Sequence, residues 1–109
     1  MATVQKILGQ SKPSASTLVA VYTVPALTQG LVSTITVCNQ SATPTAFRIS
    51  LAVAGAADTP AQYLYYDTPI SGNDCFQTTS GITLGAGDVV RVWNTLATLS
   101  FNISGVETV

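Results

Sequence analysis

Residues Thr45 to Ala54 alternate. Phe47, Ile49, Leu51 and Val53 are apolar, and Ala46, Arg48, Ser50 and Ala52 between them are small or polar. A period of two gives one apolar face and one outer face, which suits a half-buried antiparallel strand and not a helix. No segment sustains the 3.6-residue period that an amphipathic helix needs.

The remaining segments read the same way. In Leu31 to Asn39 the expected inward residues are Leu31, Ile35 and Val37, with Ser33 between them; Val32, Thr34, Thr36 and Cys38 take the other face. Thr17 to Val24 is β-branched and aromatic and ends at Pro25, which cannot donate to a ladder. Gln62–Asp67, Cys75–Ser80 and Val89–Asn94 follow, and Leu99, Phe101 and Ile103 close the series. Polar or glycine-rich links separate them. Asn39 to Pro44 reads as a hairpin loop, Ser71 to Asp74 as a turn, and Leu84 to Asp88 as a tight turn whose aspartate bonds back to the backbone. Strands at roughly ten-residue spacing predict an all-β fold, an antiparallel β-sandwich, jelly-roll-like, of seven to eight short strands.

We place that domain at residues 17–109, after an N-terminal arm and spacer at 1–16. Ala2 to Leu8 has strand character, and Gly9 to Ser16 is a flexible spacer rich in Gly, Pro and Ser. Such an arm either pairs with the sheet edge of a neighbouring subunit or completes its own sandwich. Thr3, Val4, Lys6 and Ile7 are its candidate interface residues.

Charge decides which partners are excluded. Only 8% of residues are charged, against about 25% in an average soluble domain. Serine and threonine, 26 of the 109 residues, take their place. A neutral surface of this kind suits a protein covered by neighbours. Lys6, Lys12, Arg48 and Arg91 are scattered and the net charge is −1, so nucleic acid is not an expected partner. No apolar run reaches the ~18 residues of a membrane helix. The opening residues lack the charged and apolar blocks of a signal peptide, so folding in a cytoplasm is expected.

Chemistry is sparse. The chain has no histidine, which removes Ser-His-Asp and Cys-His arrangements. Cys38 and Cys75 lack the paired spacing of a zinc site and are expected as reduced, buried thiols, with a bridge between them geometrically open. Asp58, Asp74 and Asp88 sit in turns, where aspartate bonds the backbone. Gly85-Ala86-Gly87-Asp88 precedes no helix that could hold phosphate. No enzyme activity, cofactor or metal is expected. Tyr63 and Tyr65, spaced by two and so sharing a face, and Trp93, on the face of Val89 and Arg91, are the candidate interface residues of the body. Interface or core filling is favoured for them over a sugar-stacking platform.

The segments VYTVPALTQGLVSTITVCNQSATPTAFRISLAVAG from Val21, YLYYDTPISGNDCFQTTSGITLGAGDVVRVWNT from Tyr63 and SFNISGVE from Ser100 are together similar to a group of small virion structural proteins of tailed bacteriophages. The shared features are Tyr22-Thr23-Val24-Pro25, Cys38-Asn39, the Phe47-Arg48 strand and Gly87-Asp88-Val89-Val90-Arg91-Val92. In that group a glycine often follows the Pro-Ala pair, where this chain has Leu27. Members are described as head decoration, minor tail or fibre proteins. The resemblance implies a capsid cement protein on the exterior of the virion, assembled in the host cytoplasm, with the major capsid protein and its own copies, as a homotrimer, for partners. A tail, baseplate or neck protein and a virion-surface glycan-binding module are the alternatives.

Overall fold

Leu99 to Thr108 show how the sequence makes its sheets. Leu99, Phe101, Ile103, Gly105 and Glu107 are buried, and every residue between them is half-buried. The computed structural model describes residues 2–109; Met1, first residue of the expected arm, lies outside them. Eight strands run in chain order: β1 Thr3–Ser11, β2 Val19–Thr23, β3 Gln29–Asn39, β4 Thr45–Ala52, β5 Tyr63–Ile70, β6 Cys75–Leu84, β7 Val89–Asn94 and β8 Leu99–Thr108. Short 3-10 turns at Val53–Gly55 and Pro60–Gln62 are the helical elements of the described residues.

The strands form two antiparallel four-stranded sheets, ordered β1-β8-β3-β6 and β2-β7-β4-β5. One rule generates most of the pairing. β1 pairs β8, β2 pairs β7, β3 pairs β6 and β4 pairs β5. The chain is thus a double-stranded ribbon doubled at the β4–β5 connection. Pairing of β3 with β8 and of β4 with β7 closes the wound ribbon into two sheets. Only β4 and β5 are both consecutive in sequence and adjacent in one sheet.

The core lies between the sheets. Phe47, Phe101, Ile35, Ile49, Leu99 and Ile103 are its largest fully buried side chains. Phe47 sits 5.2 Å from Phe76 and 6.2 Å from Phe101 between ring centroids, within the range of favourable tilted aromatic contacts.

Several expectations need correction. Asn39 to Pro44 is not a hairpin loop, because β3 and β4 belong to different sheets and each already has two other neighbours. Asn39 organises this crossover: its side-chain amide donates to the Thr43 and Ser71 carbonyls and its oxygen accepts from Ser41 N–H. In β3, Val32 is buried and Leu31 is exposed, the reverse of the expected phase. The register shifts between Val32 and Thr34, so Ser33 is an extra residue that changes the inward set from Gly30 and Val32 to Ile35, Val37 and Asn39.

The N-terminal segment pairs with β8 of its own chain. Its spacer is fastened, not flexible: Pro13 is buried, Asn94 donates to the Pro13 carbonyl at 3.3 Å, and Ser16 N–H bonds the Asn94 carbonyl. Gly9 belongs to the strand, and a Cβ there would overlap the Val21 carbonyl, so glycine permits the close pass over β2.

Candidate interaction surfaces

Antiparallel register aligns side chains in rows across a sheet. On the outer face of the β1-β8-β3-β6 sheet one row is Gln5, Val106, Leu31 and Thr83, and the next is Ile7, Ser104, Thr34 and Thr79. A third is Gln10, Asn102, Thr36 and Gln77, with Gln10 bonded to Asn102 at 2.7 Å. Ser100, Cys38 and Cys75 form a fourth. None of the residues in these rows is an Asp, Glu, Lys or Arg. The face is therefore a sheet-wide plane of hydroxyls and amides around an aliphatic group of Ile7, Leu31 and Val106. A shallow concavity of about 530 Å³ on this side is lined by Gln5, Lys6, Ile7, Ser33, Ser104, Gly105 and Val106, so one cation borders the neutral rows.

The arm candidates divide by register. Thr3 and Ile7 lie on this outer face. Val4 and Lys6 stand opposite Glu107 and Gly105, in the inward phase. Lys6 Nζ meets Glu107 Oε1 at 2.7 Å, and Tyr22 donates its hydroxyl to Glu107 Oε2 at 2.6 Å. Glu107 is buried, and its carboxyl is held below the usual carboxylate range, chiefly by the Lys6 hydrogen bond and then by Tyr22. The Tyr22 hydroxyl is raised well above the usual phenol value, by burial first and by Glu107 second. Lys6 is thus a structural partner as well as an edge residue.

Four strands have an unpaired edge: β1, β6, β2 and β5. Natural edges are protected by charge, proline or irregularity. β1 carries Lys6, β5 carries Asp67 and Pro69, and β2 is short. β6 is the longest edge with neither charge nor proline, and its outer residues from Cys75 to Thr83 alternate as exposed. Its sequence alternates too weakly, Thr-Thr-Ser-Gly, for its edge role to be read in advance.

The body candidates fall on the other sheet. Tyr63 and Tyr65 do not share a face. Tyr63 stands opposite Ser50 and Tyr65 opposite Ile49, because β5 carries extra residues against β4. Tyr65 turns inward and packs 5.2 Å from Phe76. Tyr63 stays on the outer face, 5.1 Å from Tyr66. Trp93 also lies outside, as expected from Arg91, and Arg48 joins the group: its guanidinium lies 3.9 Å from the Trp93 ring centre and 4.1 Å from that of Tyr66. Asp67 holds Arg48 at 2.7 Å, and that hydrogen bond raises the arginine's pKa further. A concavity of about 420 Å³ beside the cluster is lined by Arg48, Asp58, Thr59, Pro60, Tyr63 and Tyr66. Burial, then the Asp58 hydrogen bond, pushes the Tyr63 hydroxyl up. Sequence reasoning missed Arg48 and Tyr66; the alternation of β4 marks Arg48 as an outer residue, and the β4–β7 register puts it opposite Trp93.

No known family model matches this chain. Nor does any curated protein.

Its five carboxylates are all engaged in local bonds. Asp58 accepts from Tyr63, Asp67 from Arg48, Asp74 from Cys75 N–H, and Asp88 from Ala54 and Gly85 N–H; Glu107 holds Lys6 and Tyr22. Among the described residues no three His, Cys, Asp or Glu side chains gather as metal ligands. No described helix is long and apolar enough to cross a membrane.

One end of the molecule is apolar. Val24 and Gly87 exchange backbone bonds with each other's loops, and Asp88 binds Ala54 N–H, so the links after β2, β4 and β6 meet there. Leu27 is 91% exposed at this end, near Ala86 and Val109, and Val53 is 73% exposed. Leu27 has φ 58° and Ala54 φ 54°, a left-handed conformation that strains residues with a Cβ. Leu27 therefore holds a backbone shape that glycine adopts without strain.

Proposed function

We propose that this chain is a virion structural protein of a tailed bacteriophage, and specifically a capsid cement protein that lies on the major capsid lattice through protein–protein contacts. The observation that carries the reading is the outer face of the β1-β8-β3-β6 sheet, whose four cross-strand rows carry no charge, flanked by the β6 edge, which has neither charge nor proline. A surface with hydrogen-bonding groups, an aliphatic centre and charge only at its margin, on Lys6 and Lys12, has little charge to desolvate and is suited to being covered. Each strand pairing its mirror in chain order supports a jelly roll, an architecture that recurs in viral capsid proteins. The homotrimer and the absence of catalysis belong to the same proposal.

The test is co-sedimentation of the purified protein with expanded, undecorated capsids, beside isolated tails, for the wild type and for Val106→Lys. Saturable capsid binding that the lysine abolishes, in a variant with unchanged folding, supports the cement reading. Binding to tails alone moves the protein to a tail, baseplate or neck role and overturns it. The concavity beside Tyr63 and Tyr66 favours a second reading, a glycan-binding module. That reading predicts loss of host adsorption in Tyr66→Ala with capsid binding intact.

A further inference from the structure

Cys38 and Cys75 are expected from sequence as buried thiols, yet Cys75 is exposed and Cys38 half-buried. They stand directly opposite each other, Cys38 on β3 and Cys75 at the start of the edge strand β6. The pairing type follows from their neighbours. Asn39 N–H donates to the Asp74 carbonyl at 2.9 Å, so the hydrogen-bonded pair is the adjacent one. The Cys75 N–H does not donate to β3 and is satisfied by the Asp74 carboxylate at 2.8 Å. Cys38 and Cys75 are therefore a non-hydrogen-bonded pair, where opposite Cα atoms lie about 4.5 Å apart and side chains approach most closely. A disulfide needs Cα atoms about 4.4–6.8 Å apart. Both side chains are on the neutral outer face, with open access from solvent for Cys75.

We propose that Cys38 and Cys75 form an oxidation site that closes to a cross-strand disulfide when the protein meets a low-molecular-weight disulfide. The Cys75 thiolate attacks one sulfur of the reagent, forming a mixed disulfide and expelling one thiolate. The Cys38 thiolate then attacks the Cys75 sulfur and expels the second. Two protein thiols are oxidised and one reagent disulfide is reduced; the two protons released by the protein thiols pass through solvent to the two expelled thiolates, which end as thiols. The bond staples the free edge strand to β3 beside the two crossings, Asn39–Pro44 and Ser71–Asp74, that join the sheets. It closes a loop of roughly 40 residues, which in the chain-entropy account gives a substantial gain in stability. The inference is independent of the virion reading.

The experiment is titration of the full-length protein with oxidised glutathione, followed by thiol counting in denaturant, intact mass and thermal unfolding. The expected product has no free thiol, a mass lower by two hydrogens, monomeric mobility on non-reducing gels, and a melting temperature higher by about 10 °C that dithiothreitol reverses. Cys38→Ser should stop at a glutathione adduct on Cys75. Retention of two thiols, or only glutathione adducts or disulfide-linked dimers in the wild type, overturns the proposal.

Discussion

Replacing Tyr22 by Phe deletes one hydroxyl and leaves the ring in place. That hydroxyl donates at 2.6 Å to Glu107, and both residues are buried. A buried hydrogen bond to a charged acceptor contributes about 1.5–3 kcal/mol. The other hold on the same carboxylate is Lys6 at 2.7 Å, with its side chain 48% exposed. A half-exposed pair is worth about 0.2–1 kcal/mol. Tyr22→Phe should therefore destabilise the protein more than Lys6→Ala, although Lys6 contributes more to lowering the Glu107 pKa, because the lysine is half-exposed and its pair is screened by solvent. For a domain of this size the larger loss corresponds to a melting temperature lower by about 10 °C. pH adds an independent check. Glu107 titrates lower in the folded chain than unfolded, so the unfolded chain binds more protons and the contribution is present above pH ~4.5 and is lost as pH falls through the lowered value. Tyr22 titrates higher when folded, so its contribution is full below about pH 10 and is lost as pH rises through the raised value. Glu107→Gln should flatten the acid limb, and Tyr22→Phe the alkaline one. The assay is urea unfolding at a series of pH values. Equal losses for Tyr22→Phe and Lys6→Ala, or an unchanged acid limb in Glu107→Gln, would refute the reasoning.

Three further outcomes follow from single positions. A Cβ on Gly105 would overlap the Leu31 carbonyl oxygen, so Gly105→Ala should lose more than about 3 kcal/mol or fail to yield soluble protein, as measured by expression and chemical unfolding. Leu27→Gly relieves about 1–2 kcal/mol of left-handed strain and gives back part of it as chain entropy, so its urea midpoint should rise slightly; a fall would contradict the strain. Arg48→Ala uncovers Trp93, the single tryptophan, and should red-shift its emission while costing about 1 kcal/mol in stability.

The sequence made β4, β7 and β8 legible as strands because apolar residues recur at every second position, but β4 ends at Ala52 and Val53, expected on its apolar face, is 73% exposed in the turn that follows. Phase failed where an extra residue enters a strand. Ser33 reverses Leu31 and Val32, and the irregular pairing of β5 sends Tyr63 outward and Tyr65 inward. Nothing in the one-dimensional pattern marks such residues, since a bulge is fixed by the partner strand. Pairing failed for a related reason. Asn39–Pro44 has the composition of a hairpin loop, but loop chemistry does not say whether the next strand joins the same sheet. For the candidate surfaces, the shared face of Trp93 and Arg91 was legible, whereas the division of the arm residues between faces required the β1–β8 register. The Arg48 cluster and the β6 edge required the register, and the thiols' exposure required knowing which face β3 and β6 present outward.

The mirror-order ribbon also sets a timetable for synthesis. Of the eight strands β1 leaves the ribosome first and its partner β8 last, so β1 waits through the synthesis of the other strands with Leu8, which packs against the core in the fold, uncovered. Closure can start at β4–β5, the nearest pair in sequence, and zip outward through β3–β6 and β2–β7. Each later step joins segments farther apart along the chain, which places folding in the slow, millisecond-to-second regime of non-local β proteins. The final step seats β1 against β8. Until then the β8 edge of a second copy would offer β1 the same seat, so strand exchange between copies is the failure that this order of closure leaves open.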